Sequence, residues 1–504
     1  MATTIRRTPG VYLTELNAFP NSAVGVQTAI PAFIGYTKKA LKNNQPLHLK
    51  PTLINSVDDF ELYFGGAPDV KFSLDETTTG QTSDFSVAGT GYTLSWTKEK
   101  FYLYYCINLF YDNGGGPCYI VSVGDYSVPT NMVTDLGNGL DAISHEKGPT
   151  MLVVPDCMLL SNSNYSTIIS KMLKQANNRQ DRIVLLDVIG GDDPDPNNLA
   201  THISTFRTEV GTNYLDYGVS YFPWLNTTIV QNNDIDFTNI DSDDLPNLVT
   251  VLDAAATVLY ANDPTKLAAV KLLTAKLNSP INPPDTVLGL SQDIGAAVPL
   301  LFDIYAEMQR QLNVLPPASA MAGIHTMVDS DRGVWKAPAN VSLTSVVSPV
   351  VYIDDDSQAD MNVPLNGKAV NAIRSFPGQG VMVWGARTLD GNSNDYRYVN
   401  VRRTLIYIEQ SLKLAAESYL FEPNDANTWV SVKGMIDNFL SSVWQAGGLL
   451  GDKASDAFTV NVGLGSTMTG NDVLNGYMRI QVLLQMLRPA EFIEITFQQV
   501  MQGL

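Results

Sequence analysis

A chain of 504 residues is too long for a single hydrophobic core, so roughly two to four domains are expected. Only 16% of the residues are charged, against about 25% in ordinary soluble chains, so much of the surface is expected to be covered, most simply by other subunits. The net charge of −19 argues against nucleic acid or an anionic membrane as the main partner, because both require clustered Lys and Arg.

The first stretch, "RRTPGVYLTELNAFP", alternates Val11 and Leu13 with Tyr12 and Thr14 between two prolines, the pattern of an exposed strand. "TAIPAFIGYT" predicts a second strand, and in "SVDDFELYFGG" Ser56 is placed to cap a short helix. Residues 66–100 are rich in Thr, Ser and Gly and predict a small β-rich excursion. An aromatic helix follows, closed by Asn113-Gly114, and then the strand "PCYIVSVGDY".

From residue 150 strands alternate with helices: "TMLVVPD", "YSTIISKMLKQANN", "RIVLLDVIGG", "NLATHISTFRTEV" and "YLDYGVSYFPWL". That order predicts an α/β domain with a parallel or mixed sheet. The acidic stretch 232–244 reads as a surface loop, and helices are expected through most of 246–313.

From 366 the pattern becomes α+β. A helix through "NVRRTLIYIEQSLKLAAESYLF" stops at Pro423, and a second runs from about Thr428 to Gly447. The second is expected to bury Val432, Ile436, Phe439 and Val443, with Lys433, Asp437, Leu440 and Trp444 on its flank. "AFTVNVG" and "MRIQVLLQML" predict strands.

The chain ends in "RPAEFIEITFQQVMQGL", where Ile493, Ile495 and Phe497 alternate with Glu494, Thr496 and Gln498. The linker Leu487-Arg488-Pro489-Ala490 has no Gly, Asn or Asp for a tight primed turn, and Pro489 lacks a donor. This last strand is therefore expected not to fold back on its neighbour and to need an edge elsewhere.

Motifs for chemistry are sparse. No G-x-S-x-G, H-E-x-x-H or phosphate-loop pattern occurs. The best catalytic set is Asp156 and Asp187 after adjacent predicted strands, with His202 or His325 as base, but Asp after a strand more commonly caps the next element. "GGDDPDPNN" and "DDD" (354–356) have carboxylates for a hard cation but match no binding spacing. The three cysteines (Cys106, Cys118, Cys157) make neither a disulfide framework nor a zinc pattern, which suits a reducing compartment. No cofactor, metal or catalytic residue is assigned. The start lacks the apolar core of a signal peptide and no window reaches ~18 apolar residues, so cytosolic synthesis without membrane insertion is expected.

Several blocks in order resemble the tail sheath proteins of contractile phage tails and related contractile injection systems. They are "TPGVYLTEL", "SVDDFELYFGG", "INLFYDNGGGPCYIVSVG", "LPPASAMAGIHTMVDSDRGVWKAPAN", "VNAIRSFPGQGVMVWGARTL", "VNVRRTLIYIEQSL", "FLSSVWQAGGLLGD" and "RPAEFIEITFQQV". The resemblance implies a non-enzymatic subunit of a helical tube, assembled in a bacterial cytoplasm, that contracts around an inner tube. Its implied partners are copies of itself, the inner tube protein, baseplate and tail-terminator proteins, and sibling sheath proteins. It implies a strand-exchange arm at 1–20 and a central subtilisin-like α/β domain from 21–65 and 101–365. An outward β-rich insertion at 66–100 and a C-terminal α+β domain at 366–504 facing the inner tube complete it, with 490–500 donated to a neighbour.

On this reading Val11, Tyr12, Leu13, Ile493, Ile495 and Phe497 exchange between subunits, while Lys433, Asp437 and Trp444 are candidates for the tube contact. Two unpaired terminal strands are a hazard in a monomer but a means of joining in a polymer. The competing readings are a static self-assembling shell and an α/β hydrolase using Asp156 and Asp187.

Overall fold

The computed structural model describes residues 23–77, 82–98, 100–127, 129–280, 283 and 286–494. They form two compact units, one of residues 27–406 with 488–494 and the other of 23–26 with 407–487.

The larger unit is built on a nine-stranded sheet. Its order is Val341–Ser342, Gly380–Val383, Asn371–Phe376, Gly218–Phe222, Ile183–Asp187, Met151–Val153, Pro31–Gly35, Cys118–Ser122 and Thr52–Ile54. The six strands from Asn371–Phe376 to Cys118–Ser122 run parallel, and those flanking them join antiparallel. Parallel strands need crossovers that cover the sheet, so Pro31–Gly35, Ile183–Asp187 and Gly218–Phe222 are buried at every position. That is why they read as nearly unbroken apolar runs.

Helix Asn162–Arg179 lies against Ile183–Asp187 and beside Met132–Ile143, while Leu103–Asp112 packs with Ala318–Arg332. Gly323 permits the second contact, since a Cβ there would meet the Phe110 carbonyl oxygen at 2.5 Å. The short helix Val57–Phe64 starts as its sequence implies, with the Ser56 hydroxyl accepting the Asp59 N–H at 3.1 Å.

Three strands, Phe72–Glu76, Phe85–Val87 and Thr90–Trp96, make a separate small sheet. The acidic stretch 232–244 lies at the surface but is not irregular. It forms three short 3-10 turns that bury Ile235, Phe237 and Ile240. Ile240 bridges to Phe72, the Asp241 N–H donates to the Phe72 carbonyl at 2.8 Å, and the Thr97 hydroxyl donates to Asp241 at 3.0 Å. Three apolar side chains spaced among carboxylates are enough to fasten it.

The last domain was expected to begin at residue 366, but the sheet runs further. Tyr221 and Phe222 pair with Asn371 and Ala372, so Asn371–Phe376 and Gly380–Val383 complete the large sheet. After residue 26 the chain returns to the smaller unit at Tyr407, inside the helix Val399–Ala416. Among the described residues no single helix is long and apolar enough to cross a membrane.

Candidate assembly surface

The smaller unit holds the exposed sheet on which an assembly function can be built. Helix Ala426–Gln445 starts at Asp425, whose carboxylate accepts the Thr428 N–H at 3.0 Å. It buries Val432, Ile436, Phe439 and Val443 as its periodicity requires, and Leu440 too, so Leu440 leaves the polar flank. Strand Phe458–Val462 packs on this helix and pairs antiparallel with Ile480–Leu484, Val460 opposite Val482. Val460 is buried, whereas Thr459 and Leu483 on the other face are exposed.

The ladder fixes which backbone groups point away. The Gln485 N–H donates to the Ala457 carbonyl at 2.8 Å. By the parity of an antiparallel pair, the groups of Phe458, Val460 and Val462 face out on one edge, and those of Ile480, Val482 and Leu484 on the other. The two edges are unequal. Lys433 Nζ donates to the Val460 carbonyl at 2.6 Å and pairs with Asp437 at 3.2 Å, so a cation occupies the first edge. Among the described residues no strand pairs with the second. Two strands alone are marginal in water, and such an edge is a template for another strand.

Of the residues assigned to strand exchange from sequence, Val11, Tyr12, Leu13, Ile495 and Phe497 lie outside the described residues. Ile493 is described, 78% exposed and in no strand. Of the tube-contact candidates, Lys433 and Asp437 pair with each other, and the half-buried Trp444 donates its indole N–H to the Gly451 carbonyl at 2.9 Å.

Two residues before Ile493, Glu491 sits in a polar socket of the larger unit. Arg387 donates to it from Nε at 3.0 Å and from Nη2, Asn362 Nδ2 donates at 2.7 Å, and the Tyr398 hydroxyl at 3.0 Å. Burial pushes the carboxyl up, but the hydrogen bonds from Arg387 and Asn362 and the Arg387 charge outweigh it and hold Glu491 below the usual range. Sequence reasoning missed this group. Its one local signal is Arg387 in the apolar run "VMVWGARTL", since a buried guanidinium needs an anion.

The hydrolase candidates have other partners. Asp156 accepts the Tyr102 N–H at 2.6 Å and the Tyr36 N–H at 2.7 Å, and Asp187 accepts the Ala318 N–H at 2.6 Å. The two carboxylates thus hold the starts of the paired helices Leu103–Asp112 and Ala318–Arg332. Burial raises Asp156 to about 6 and Asp187 to about 7. His202 pairs with Asp193 at 2.9 Å, and the buried His325, held well below its ordinary value by burial and Arg403, meets the Tyr221 hydroxyl at 3.2 Å. The structure does not join either histidine to Asp156 or Asp187 by a hydrogen bond. Among the described residues no three metal-ligating side chains gather.

The phage tail sheath C-terminal domain family matches residues 392–500, which include the two-stranded sheet and Glu491. The tail sheath protein of Burkholderia phage BcepMu is 32% identical over 144 residues. A chain in the anti-feeding prophage helical sheath, solved in its contracted state, is 26% identical over 98% of this chain and 100% of that one, with a TM-score of 0.60. Residues 392–500 thus carry a phage tail sheath C-terminal domain, and along its length the chain is similar to solved contractile sheath chains. The sheath in the contracted PVC complex of an extracellular contractile injection system has the same mixed α/β fold, at 25% identity, 99% coverage of both chains and a TM-score of 0.59. The match to the phage relative spans 28% of this chain and 30% of the relative's length.

Proposed function

We propose that this chain is the structural subunit of a contractile sheath, part of a phage tail or a phage-tail-like injection particle. Copies polymerise as a helical tube around an inner tube and shorten from a metastable extended state to drive that tube through a target envelope. The observation that carries the reading is the two-stranded sheet with the free edge Ile480–Leu484, in a chain whose terminal segments alternate like strands. A neighbour's strand of about five residues on that edge makes ladder bonds worth ~3–7 kcal/mol at roughly 0.5–1.5 kcal/mol each. That holds neighbours together while flatter contacts slide and re-form.

In this reading 1–20 and 490–500 are exchanged arms and 66–100 is an outward insertion. The larger unit is the subtilisin-like domain, which works as a scaffold. Lys433, Asp437 and Trp444 face the inner tube, and baseplate and terminator proteins cap the ends. Contraction requires two packings of one chain at different free energies and no catalytic step.

Negative-stain microscopy of the purified protein is the test, with hollow striated tubes as the expected result. Persistent monomers at high protein concentration and low salt would contradict the reading. A static shell shares the free edge but has one diameter, so tubes of two diameters separate the alternatives.

A further inference from the structure

We infer that Glu491 is a positioning residue, the fixed root from which the terminal arm leaves its own subunit. This rests on the sheath reading and adds to it a load path. An arm that bridges two subunits transmits force only if both ends are held. The far end is held by a ladder of backbone bonds; the near end needs an equivalent.

The socket around Glu491 has the required properties. Arg387 is 3% exposed and engages the carboxylate through two nitrogens, while its Nη1 donates to the Asn362 carbonyl at 3.1 Å. Asn362 returns its own Nδ2 to Glu491 at 2.7 Å. Arg387 is itself fastened to the large sheet. Its N–H donates to Asn371 Oδ1 at 2.7 Å, and Asn371 Nδ2 donates to the Arg387 carbonyl at 2.8 Å and to the Ser220 carbonyl at 3.0 Å. Tension on the arm therefore passes from Glu491 through Arg387 into the strands Asn371–Phe376 and Gly218–Phe222. Beside it, Arg488 Nη2 donates to the Asn394 carbonyl at 2.7 Å, a second tie at the same root. Beyond the socket the Phe492 and Ile493 side chains are exposed, so Glu491 is the last residue held directly and position 492 is held only through it.

The experiment uses the full chain in three forms: wild type, Glu491→Ala, and Arg387→Ala with Glu491→Ala. The double variant removes both charges, so that no buried guanidinium is left without its anion. Each also carries Phe492→Cys with a nitroxide; Cys106, Cys118 and Cys157 are buried, which confines labelling to the new thiol. In wild-type monomers the label is expected to be restricted before any polymer forms, and in both variants to be freely mobile. Pelleted tubes are expected to fall by about tenfold in both variants, with circular-dichroism melting of the monomers retained in the double variant. Variants that match wild type in label mobility or tube yield would overturn the inference while leaving the sheath reading standing. A wild type that forms no tubes would overturn that reading and this inference with it.

Discussion

The larger unit ends its sheet on Val341–Ser342 and Thr52–Ile54, strands of two and three residues, whereas the smaller unit presents the five-residue strand Ile480–Leu484 with an unpaired side. Short terminal strands are a common way to stop a sheet from recruiting another chain. A longer one in a sheet of only two strands invites continuation. The contrast separates a region that is complete within one subunit from one that, under the proposed function, a neighbour would finish, and it can be attacked by mutation from both sides.

Deleting 490–504 should have the largest effect. The subunit is expected to stay folded by circular dichroism, with pelleted tubes reduced about a hundredfold or more if the arm supplies several kcal/mol. Phe33→Ala strikes the complete region instead, where the ring is fully buried. It should cost about 3–5 kcal/mol in denaturant unfolding and lower tube yield only as the folded fraction falls.

Val482→Pro and Leu483→Pro sharpen the distinction within one strand. By the ladder parity the Val482 N–H faces out and the Leu483 N–H faces its partner Thr459. Proline at 482 should spare the monomer melt and abolish tubes, and proline at 483 should damage the monomer itself.

The pH response belongs to the larger unit. Asp156 and Asp187 are raised to about 6 and about 7, above the ordinary ~3.9 of an unfolded carboxyl. Their contribution is full below that value and lost as pH rises through 6 to 7. Through these two groups melting should be higher at pH 5 than at pH 8, and Asp187→Asn should flatten the difference. Smallest is Asp437→Asn, which breaks a partly exposed pair and should change stability by less than ~0.5 kcal/mol. Loss of co-sedimentation with inner tube protein would then mark a direct contact.

Much of this was legible in the sequence because period and caps are local. The runs that became Pro31–Gly35 and Ile183–Asp187, the Ser56 cap, the buried face of Ala426–Gln445 and the strands found within the β-rich stretch 66–100 all follow from neighbouring residues. What stayed hidden depends on distant pairing. Asn371–Phe376 looked like part of the last domain because nothing local announces Tyr221 as its partner. Ile235, Phe237 and Ile240 were masked by the acids around them. The small sheet was legible as two strands, yet which side is free depends on a register that only the fold supplies. Glu491 and Arg387 are 104 positions apart and carry no shared pattern.

The ammonium of Lys433 on the Val460 carbonyl makes the two sides of the small sheet chemically distinct. A protomer joined through such a sheet cannot be flipped end for end, so a column of them has a front and a back. A change begun at either terminus would then meet the same asymmetric junction at every copy.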